Sequence, residues 1–276
     1  MKKCTPRQSG FTLIEAIMVM TITAVLAAGV AVFLRKPIDG YMDLARRTEL
    51  SDIADTAVRR MSRDLHVALP NSVRLPSPQC MEFLPTINGG RYRAEIDGSG
   101  GGNVFTTASP VSTLDVLGDL SAAPANGDFV VIYNLGIVGA DAYAAADNRT
   151  TVVGAGTTVS SIALSPKQFL LASPGNRFHV LSGAEQAVSY VCTQGMAGGN
   201  GTGILYRASA YGINAASTCP VTNANTPILA QNISSCSFSY SSGATERSGL
   251  VAIRLGITKS NETVNIYQDV HINNVP

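Results

Sequence analysis

One carboxylate stands alone in a long apolar stretch near the start of the chain. Residues Phe11–Leu34 form a run of 24 residues in which Glu15 is the single ionisable side chain. As an α-helix this run would be about 36 Å long, enough to cross the roughly 30 Å hydrocarbon core of a bilayer. A charged side chain inside lipid is costly unless it is paired, which makes Glu15 a candidate functional residue.

The rest of the sequence contains no catalytic constellation. The chain has no P-loop and no G-x-S-x-G elbow, and Gly154–Gly156 is only a fragment of a dinucleotide fingerprint. Asp141 and Asp147 are a candidate cation pair, but their spacing is not that of an EF-hand. None of the three histidines belongs to a metal-ligand motif: His66, His179 and His271. We therefore expect a protein that is not an enzyme and has neither cofactor nor metal.

The overall composition fits an exported, β-rich protein. Charged residues make up 14% of the chain, well below the usual quarter, while hydrophobic residues make up 45%. The apolar content excludes a charged, disordered chain. The formal net charge of +1 argues against the strongly basic surface of a nucleic-acid-binding protein, so we expect no nucleic acid as a partner.

The residues that flank the apolar run leave three interpretations open. A basic leader with Lys2, Lys3 and Arg7 and no acidic residue precedes the run. An ordinary secretory signal has a shorter apolar core of about 7–15 residues, although Val25–Ala27 offers a cleavage sequence. A plain signal anchor fits the length with the leader inside, but the basic pair 35–36 beyond the run reduces the charge asymmetry. Neither interpretation explains the carboxylate.

The third interpretation accounts for it. The string Gly10-Phe11-Thr12-Leu13-Ile14-Glu15 after a short basic leader resembles the cleavage motif of type IV prepilins and type II secretion pseudopilins. The resemblance implies that a prepilin peptidase cuts between Gly10 and Phe11 and then N-methylates Phe11. It also implies that Glu15 pairs with the N-terminal amine of a neighbouring subunit during assembly. The alternative is a carboxylate that is protonated or pairs with its own amine, which would carry no assembly information.

Beyond the apolar run the sequence predicts a second helical segment and then strands. Apolar residues recur at intervals of three and four from Leu50 to Leu69, which predicts an amphipathic helix ended by Pro70. Pro37 either kinks a joined helix or begins its second half. Past Pro70, short apolar runs alternate with turn formers. The predicted strands are Thr113–Leu117, Asp128–Asn134, Thr158–Leu164, Arg177–Leu181, Ala187–Cys192, Ile204–Arg207, Cys236–Tyr240 and the hairpin of Leu250–Thr258 with its return strand after Lys259–Glu262.

The resemblance implies an α+β pilin fold, a long N-terminal helix packed on an antiparallel β-sheet head with extended loops. The corresponding division of the chain is a leader peptide at 1–10, a transmembrane and assembly helix at 11–36, an amphipathic helix at 37–69 and a globular head at 70–276.

The cysteines agree with an exported head. Cys4 lies in the leader and would be removed with it, which leaves Cys80, Cys192, Cys219 and Cys236. An even number outside the cytoplasm suggests two disulfides, with three possible connectivities. A zinc site is the alternative, but no C-x-x-C pair is present. We favour Cys192 with Cys219, which would close a glycine-rich excursion, and Cys80 with Cys236.

A narrower resemblance rests on the order of short motifs along the whole chain. They resemble the MshO biogenesis proteins of mannose-sensitive haemagglutinin (MSHA) pili, a family similar to the PilW minor pilins and the J-type pseudopilins. The motifs are Arg59–Leu65, Cys80–Pro85, Gly90–Arg93, Val188–Cys192, Leu205–Arg207, Asn232–Tyr240 and the final hairpin.

This second resemblance implies a structural minor pilin that initiates or caps a pilus near its tip. The implied partners are the prepilin peptidase, other minor pilins, the major pilin, the inner-membrane assembly platform and, before assembly, the lipid bilayer. The implied location is the bacterial inner membrane, with one span and a periplasmic head, and then the filament. The alternatives are a J-type pseudopilin of a type II secretion system and a membrane-anchored periplasmic enzyme.

Overall fold

The computed structural model describes residues 10–145, 147–242 and 247–276. One helix, α1 (Leu13–His66), has 54 residues and continues through position 37 without interruption. The chain divides into two compact units, Met1–Glu49 and Leu50–Pro276, so the two parts of α1 belong to different units. An N-terminal apolar helix and an antiparallel β-sheet head give the predicted α+β fold.

The helix ends three residues before the position that the sequence predicted. Val67 O accepts a hydrogen bond from Thr86 N at 2.8 Å, and Leu69 N donates to Leu84 O at 2.7 Å. Ala68 forms an isolated antiparallel bridge with Pro85. These extended pairings replace the helical hydrogen bonds of 67–69, so sheet pairing rather than Pro70 sets the helix end.

The strands pair only in antiparallel fashion within the described residues. In chain order they are β1 (Arg74–Ser77), β2 (Cys80–Phe83), β3 (Thr86–Tyr92), β4 (Val111–Leu117), β5 (Phe129–Ile132), β6 (Arg149–Thr151), β7 (Ser161–Lys167), β8 (Arg177–Leu181), β9 (Val188–Cys192), β10 (Met196–Ala197), β11 (Asn200–Gly201), β12 (Gly203–Ser209), β13 (Ile228–Ser242), β14 (Ser248–Lys259) and β15 (Glu262–Asn273). Every predicted strand overlaps one of them; β1, β2, β3, β6, β10 and β11 were not predicted.

The larger sheet carries the second part of α1. Its seven strands lie in the order β1-β2-β9-β12-β13-β14-β15. The helical stripe predicted from the sequence is buried against this sheet, with Leu50, Ala54 and Met61 all fully buried in the same core as Val251 and Ile253. The alternation predicted for the terminal hairpin is therefore confirmed on β14.

The turn of that hairpin has a geometry that matches the twist of its two strands. Lys259 pairs with Glu262, which leaves a two-residue loop of Ser260 and Asn261. Both loop residues have positive φ, 52° and 65°, as a type I′ turn demands. The turn therefore fixes the register of β14 against β15.

The second sheet closes into a small barrel with its own core. Its six strands lie in the order β6-β5-β8-β3-β4-β7. The two end strands meet through a bridge between Val152 and Leu164 and a hydrogen bond from Val153 N to Ala163 O at 2.8 Å. The enclosed core contains Val130, Ile162 and other apolar side chains. Strands β4, β5, β7 and β8 of this barrel were predicted from the sequence, but the second core was not.

A polar network attaches the end of α1 to the larger sheet. The Arg207 guanidinium on β12 donates to Asp64 on the helix at 2.7 Å and to Glu185 at 2.6 Å. The Tyr190 hydroxyl on β9 also donates to Asp64, at 2.8 Å. The hydrogen bonds and ion pairs within the network replace those that these groups would make to water. The network therefore specifies where the helix end lies on the sheet.

Burial of several tyrosines predicts a loss of stability in alkali. Burial is the largest cause that raises the pKa of four phenols above the ordinary value near 10: Tyr92, Tyr143, Tyr190 and Tyr211. A raised pKa in the folded chain gives stability that is complete below pH 10 and is lost as the pH rises beyond it. Each such tyrosine contributes a slope of up to about 1.4 kcal/mol per pH unit.

The measurement is the free energy of unfolding in denaturant from about pH 9 to about pH 11. Tyr190→Phe should flatten the decline because one titrating group is removed. An unfolding free energy that stays constant across this range would contradict the prediction.

Candidate functional site: the N-terminal segment

The start of α1 is built by a side-chain cap that the sequence analysis did not identify. Thr12 precedes the helix, and its hydroxyl oxygen accepts a hydrogen bond from Glu15 N at 3.4 Å, while Thr12 O accepts one from Ala16 N at 3.2 Å. Thr12 is thus the N-cap and Glu15 the third helical residue, so the Thr12 half of a capping box is formed, while no hydrogen bond of the Glu15 carboxylate completes it among the described residues. The T-x-x-E spacing at the head of an apolar run was the available signal.

The described structure corrects one detail of the expected geometry. The helix begins at Leu13, so Phe11 and Thr12 lie outside it. Phe11 and Glu15 are therefore not separated by one complete helical turn in the described chain. Phe11 is 82% exposed. No packing within the described residues hides this end of the molecule from a peptidase or a neighbouring subunit.

Gly10 is not required by the fold around it. A Cβ placed on Gly10 would meet no heavy atom of the described chain within 4 Å, and its backbone is not in the left-handed region. A side chain at this position would therefore be accommodated by the molecule itself. Any requirement for glycine here comes from a partner that approaches the backbone closely.

The apolar segment after Glu15 has the length and composition of a membrane span. Leu13–Phe33 comprises 21 residues, and none of this stretch is buried. It is the single segment of this kind among the described residues. At 1.5 Å per residue it extends about 31 Å, close to the thickness of a hydrocarbon core. An apolar helix of this kind suggests membrane anchoring.

The polar side chains in this segment differ in how their hydrogen bonds are satisfied. Thr21 donates to Met18 O at 2.9 Å, and Thr23 donates to Val19 O at 2.7 Å. Backbone bonds of this type make hydroxyls compatible with lipid. The carboxylate of Glu15 has no hydrogen-bond or ion-pair partner among the described residues. Glu15 is thus the one polar side chain of the span that has no partner among the described residues.

The four cysteines of the head form two disulfides, with a connectivity that differs from the predicted one. Cys80 is bonded to Cys219 with Cα atoms 6.1 Å apart, and Cys192 is bonded to Cys236 with Cα atoms 6.5 Å apart. The predicted pairs, Cys192 with Cys219 and Cys80 with Cys236, are wrong. Disulfides are typical of proteins in oxidising compartments, which agrees with an exported head.

Sheet topology explains why Cys192 is bonded to Cys236. Strands β9 and β13 lie on either side of β12, which begins only at Gly203. Gln194 lies just beyond Cys192 and accepts a hydrogen bond from Cys236 N at 2.9 Å, which shows how close β9 and β13 come at this level. The prediction that Cys192 pairs with Cys219 rested on the segment between them, and the length of that segment does not show which strands become neighbours.

A loop attached to β1 explains why Cys80 is bonded to Cys219. The Arg74 guanidinium donates to the carbonyl oxygens of Asn214, Ala215 and Ala216 at 2.7–3.1 Å. These contacts bring the segment before Cys219 to the edge of the sheet, where Cys80 begins β2. The disulfide and Arg74 therefore secure the same long connection between β12 and β13.

The two carboxylates of the candidate cation pair accept backbone hydrogen bonds. Asp147 accepts hydrogen bonds from Gly139 N at 2.8 Å and Asp141 N at 3.4 Å, and Asp141 accepts one from Tyr143 N at 3.0 Å. Both carboxylates thus close the loop after β5. Within the described ranges no group of three or more potential ligands among His, Cys, Asp and Glu could hold a metal.

Among the described residues, the fold and the terminal segment together define a class of protein that combines one apolar N-terminal helix with an antiparallel β-sheet head. Residues 5–31 of this chain match the family model of the prokaryotic N-terminal methylation motif. That match includes Gly10, Phe11 and Glu15, and it supports a type IV pilin-like family, whose members are typically structural. The motif implies processing by a prepilin peptidase and assembly as a pilin. No curated protein and no solved structure matched the chain.

Proposed function

We propose that this protein is a minor pilin of an MSHA-like type IV pilus that initiates or caps the filament near its tip. The observation that carries the proposal is the unpartnered Glu15 carboxylate at the head of an exposed apolar helix. Cleavage after Gly10 would place an amine on Phe11. In a filament, the carboxylate of one subunit and the amine of another neutralise each other only when the two helices have the correct axial stagger.

The remaining residues receive roles consistent with this proposal. Residues 1–10 are the leader peptide, and residues 11–36 anchor the single-pass subunit in the inner membrane before assembly. Residues 37–69, which include the second part of α1, and the disulfide-bonded head of 70–276 lie in the periplasm. The partners are the prepilin peptidase, other minor pilins, the major pilin and the assembly platform. The order of the inner motifs supports the MshO-like assignment, and the protein acts without enzymatic activity.

The methylation motif fits a type II secretion pseudopilin equally well, and the two functions have different consequences. A deletion strain that loses surface pili but still secretes folded exoproteins supports the pilus. A strain with normal piliation and a secretion defect would replace our proposal with the J-type pseudopilin. Complementation with the intact gene is the control for effects on neighbouring genes.

The bulk of the head predicts scarcity and a terminal position in the filament. The barrel of β3 to β8 adds a second core that the helix-bearing sheet does not need for its own packing. We expect this extra volume to be excluded from a tightly packed shaft. Immunogold labelling should therefore mark one end of each filament. Labelling along the whole shaft at the density of the major subunit would contradict the prediction.

A further inference from the structure

The head contains an open cleft. Its volume is about 510 Å³, within the range of pockets for small molecules. Tyr133 and Leu135, which follow β5, form part of the wall. Arg177 at the start of β8 and Arg247 just before β14 complete it. The cleft thus lies where the barrel meets the far end of the terminal hairpin.

Asparagine side chains fix the floor of this cleft. Asn71 Nδ2 donates to Asn134 O at 2.9 Å and to Asn274 O at 3.2 Å. Asn274 Oδ1 accepts from Asn71 N at 3.3 Å, and Asn274 Nδ2 donates to the Tyr240 hydroxyl at 2.9 Å. Because these bonds connect segments distant in sequence, the floor is held in one arrangement before any ligand arrives.

The wall includes a residue in an uncommon backbone conformation. Tyr133 has a φ of 53°, in the left-handed region that aromatic residues seldom adopt. Asn148 Nδ2 donates to Tyr133 O at 3.3 Å and supports this conformation. Tyr133 is half-buried, so a half-buried aromatic side chain lines the cleft.

Within the described residues, the two arginines of the cleft lack the ion pairs that three other arginines of the head form. Arg74, Arg93 and Arg207 each form an ion pair with a carboxylate. Neither Arg177 nor Arg247 has an ion pair within the part of the chain that the structure describes, and both are exposed. Two exposed guanidinium groups that line one cleft favour an anion, which each can bind through charge-assisted hydrogen bonds.

We propose that this cleft binds a small organic acid of monosaccharide size. Its carboxylate lies between Arg177 and Arg247, and its ring contacts Tyr133 and Leu135. A sugar-like ring has hydroxyl groups that can hydrogen-bond to the Tyr133 phenol. Its C–H groups can pack against the aliphatic side chain of Leu135. This binding function is separate from the assembly role of Glu15, and it is measured without filaments.

The test uses the full-length chain in detergent and isothermal titration calorimetry with glucuronate. Glucose, which has the same ring without the carboxylate, is the matched neutral probe. We expect saturable one-to-one binding of glucuronate and roughly tenfold weaker binding of glucose. Inorganic sulfate should compete, but more weakly than glucuronate because it lacks the ring.

Variants of the two arginines locate the site. Arg177→Gln and Arg247→Gln should each weaken glucuronate binding roughly tenfold, and the double variant should abolish it. Arg59→Gln, which removes an exposed arginine of α1 that pairs with Asp55, is the matched control and should bind normally. Both cleft arginines are exposed, so unchanged circular dichroism is expected for all variants.

Three results would overturn the proposal: no saturable binding of glucuronate to the intact chain, equal binding of glucose and glucuronate, or undiminished binding in the double variant. Sulfate that binds as tightly as glucuronate would overturn the assignment of an organic acid.

Discussion

Replacing Glu15 by alanine is expected to leave processing, membrane insertion and head folding intact while it prevents incorporation into filaments. The change removes the one polar side chain of Leu13–Phe33 that lacks an internal partner, so insertion of the isolated subunit becomes easier. The neighbouring Phe11 amine is then left without its counter-charge. If that amine is fully buried, the loss is about 3–5 kcal/mol, which corresponds to at least a hundredfold decrease in incorporation.

A contribution of the Glu15 side chain to the helix start can be tested separately from its charge. Glutamine also serves at the third position of a capping box, so Glu15→Gln keeps the helix start that Thr12 begins but removes the negative charge. Pairing with an amine therefore predicts that Glu15→Gln fails as Glu15→Ala does. A capping role predicts that glutamine restores function.

Controls within the same span make this comparison specific. Thr23→Val removes a hydroxyl that is already satisfied by Val19 O, so it should assemble like the wild type. The measurement is the ratio of filament-bound to membrane-bound protein in sheared preparations, together with co-purification of other minor pilins. Normal piliation and equal recovery of Glu15→Ala would refute the pairing role.

Replacing Gly10 by leucine is expected to reduce removal of the leader by roughly 100-fold, because a peptidase must hold the scissile bond in precise alignment. The chain itself offers no steric objection, since a Cβ at Gly10 would meet nothing within 4 Å. A defect in Gly10→Leu would therefore report on contact with the peptidase and not on misfolding. The uncleaved chain should retain its helix and its head.

Gly29→Ala is the matched control for that substitution. Gly29 also has no neighbour within 4 Å of a built Cβ, but it lies inside the helix, away from the cleavage position. Its processing should be normal. The electrophoretic mobility of newly made protein over time separates precursor from mature chain. Rapid and complete processing of Gly10→Leu would contradict a cut at the Gly10–Phe11 bond.

Local patterns in the sequence predicted the parts of the fold that depend on local periodicity. The alternation through Val251, Ile253, Leu255 and Ile257 places all four side chains in the core of the larger sheet. The helical stripe beginning at Leu50 was predicted for the same reason. In both cases the period of the apolar residues determines which face is buried.

Long-range pairing determined what the sequence did not predict. Val152 and Leu164 close the barrel through a β-bridge that no local sequence pattern predicts. The cysteine pairs follow from strand order, which brings Cys192 to Cys236 across the start of β12. The helix end depends on Leu69 pairing with Leu84, a contact between segments that a turn separates.

The candidate terminal site was accessible from the sequence because its residues are contiguous. Gly10, Phe11 and Glu15 lie within six positions and within the matched motif. The cleft with Arg177 and Arg247 was not accessible, since its residues come from the barrel, the helix–strand connection and the terminal hairpin. Because Arg177 and Arg247 are far apart in the sequence, only the fold shows that they line the same cleft.

The central claim is that this chain is processed at Gly10 and assembled through the new N-terminus. Mass spectrometry of the N-terminal peptide of the protein purified from its native membrane tests that claim most directly. Our account predicts a chain that begins at Phe11, carries one methyl group on its amine and lacks Cys4. A chain that still begins at Met1, or one that begins at Ala28 after cleavage of a secretory signal, would contradict it.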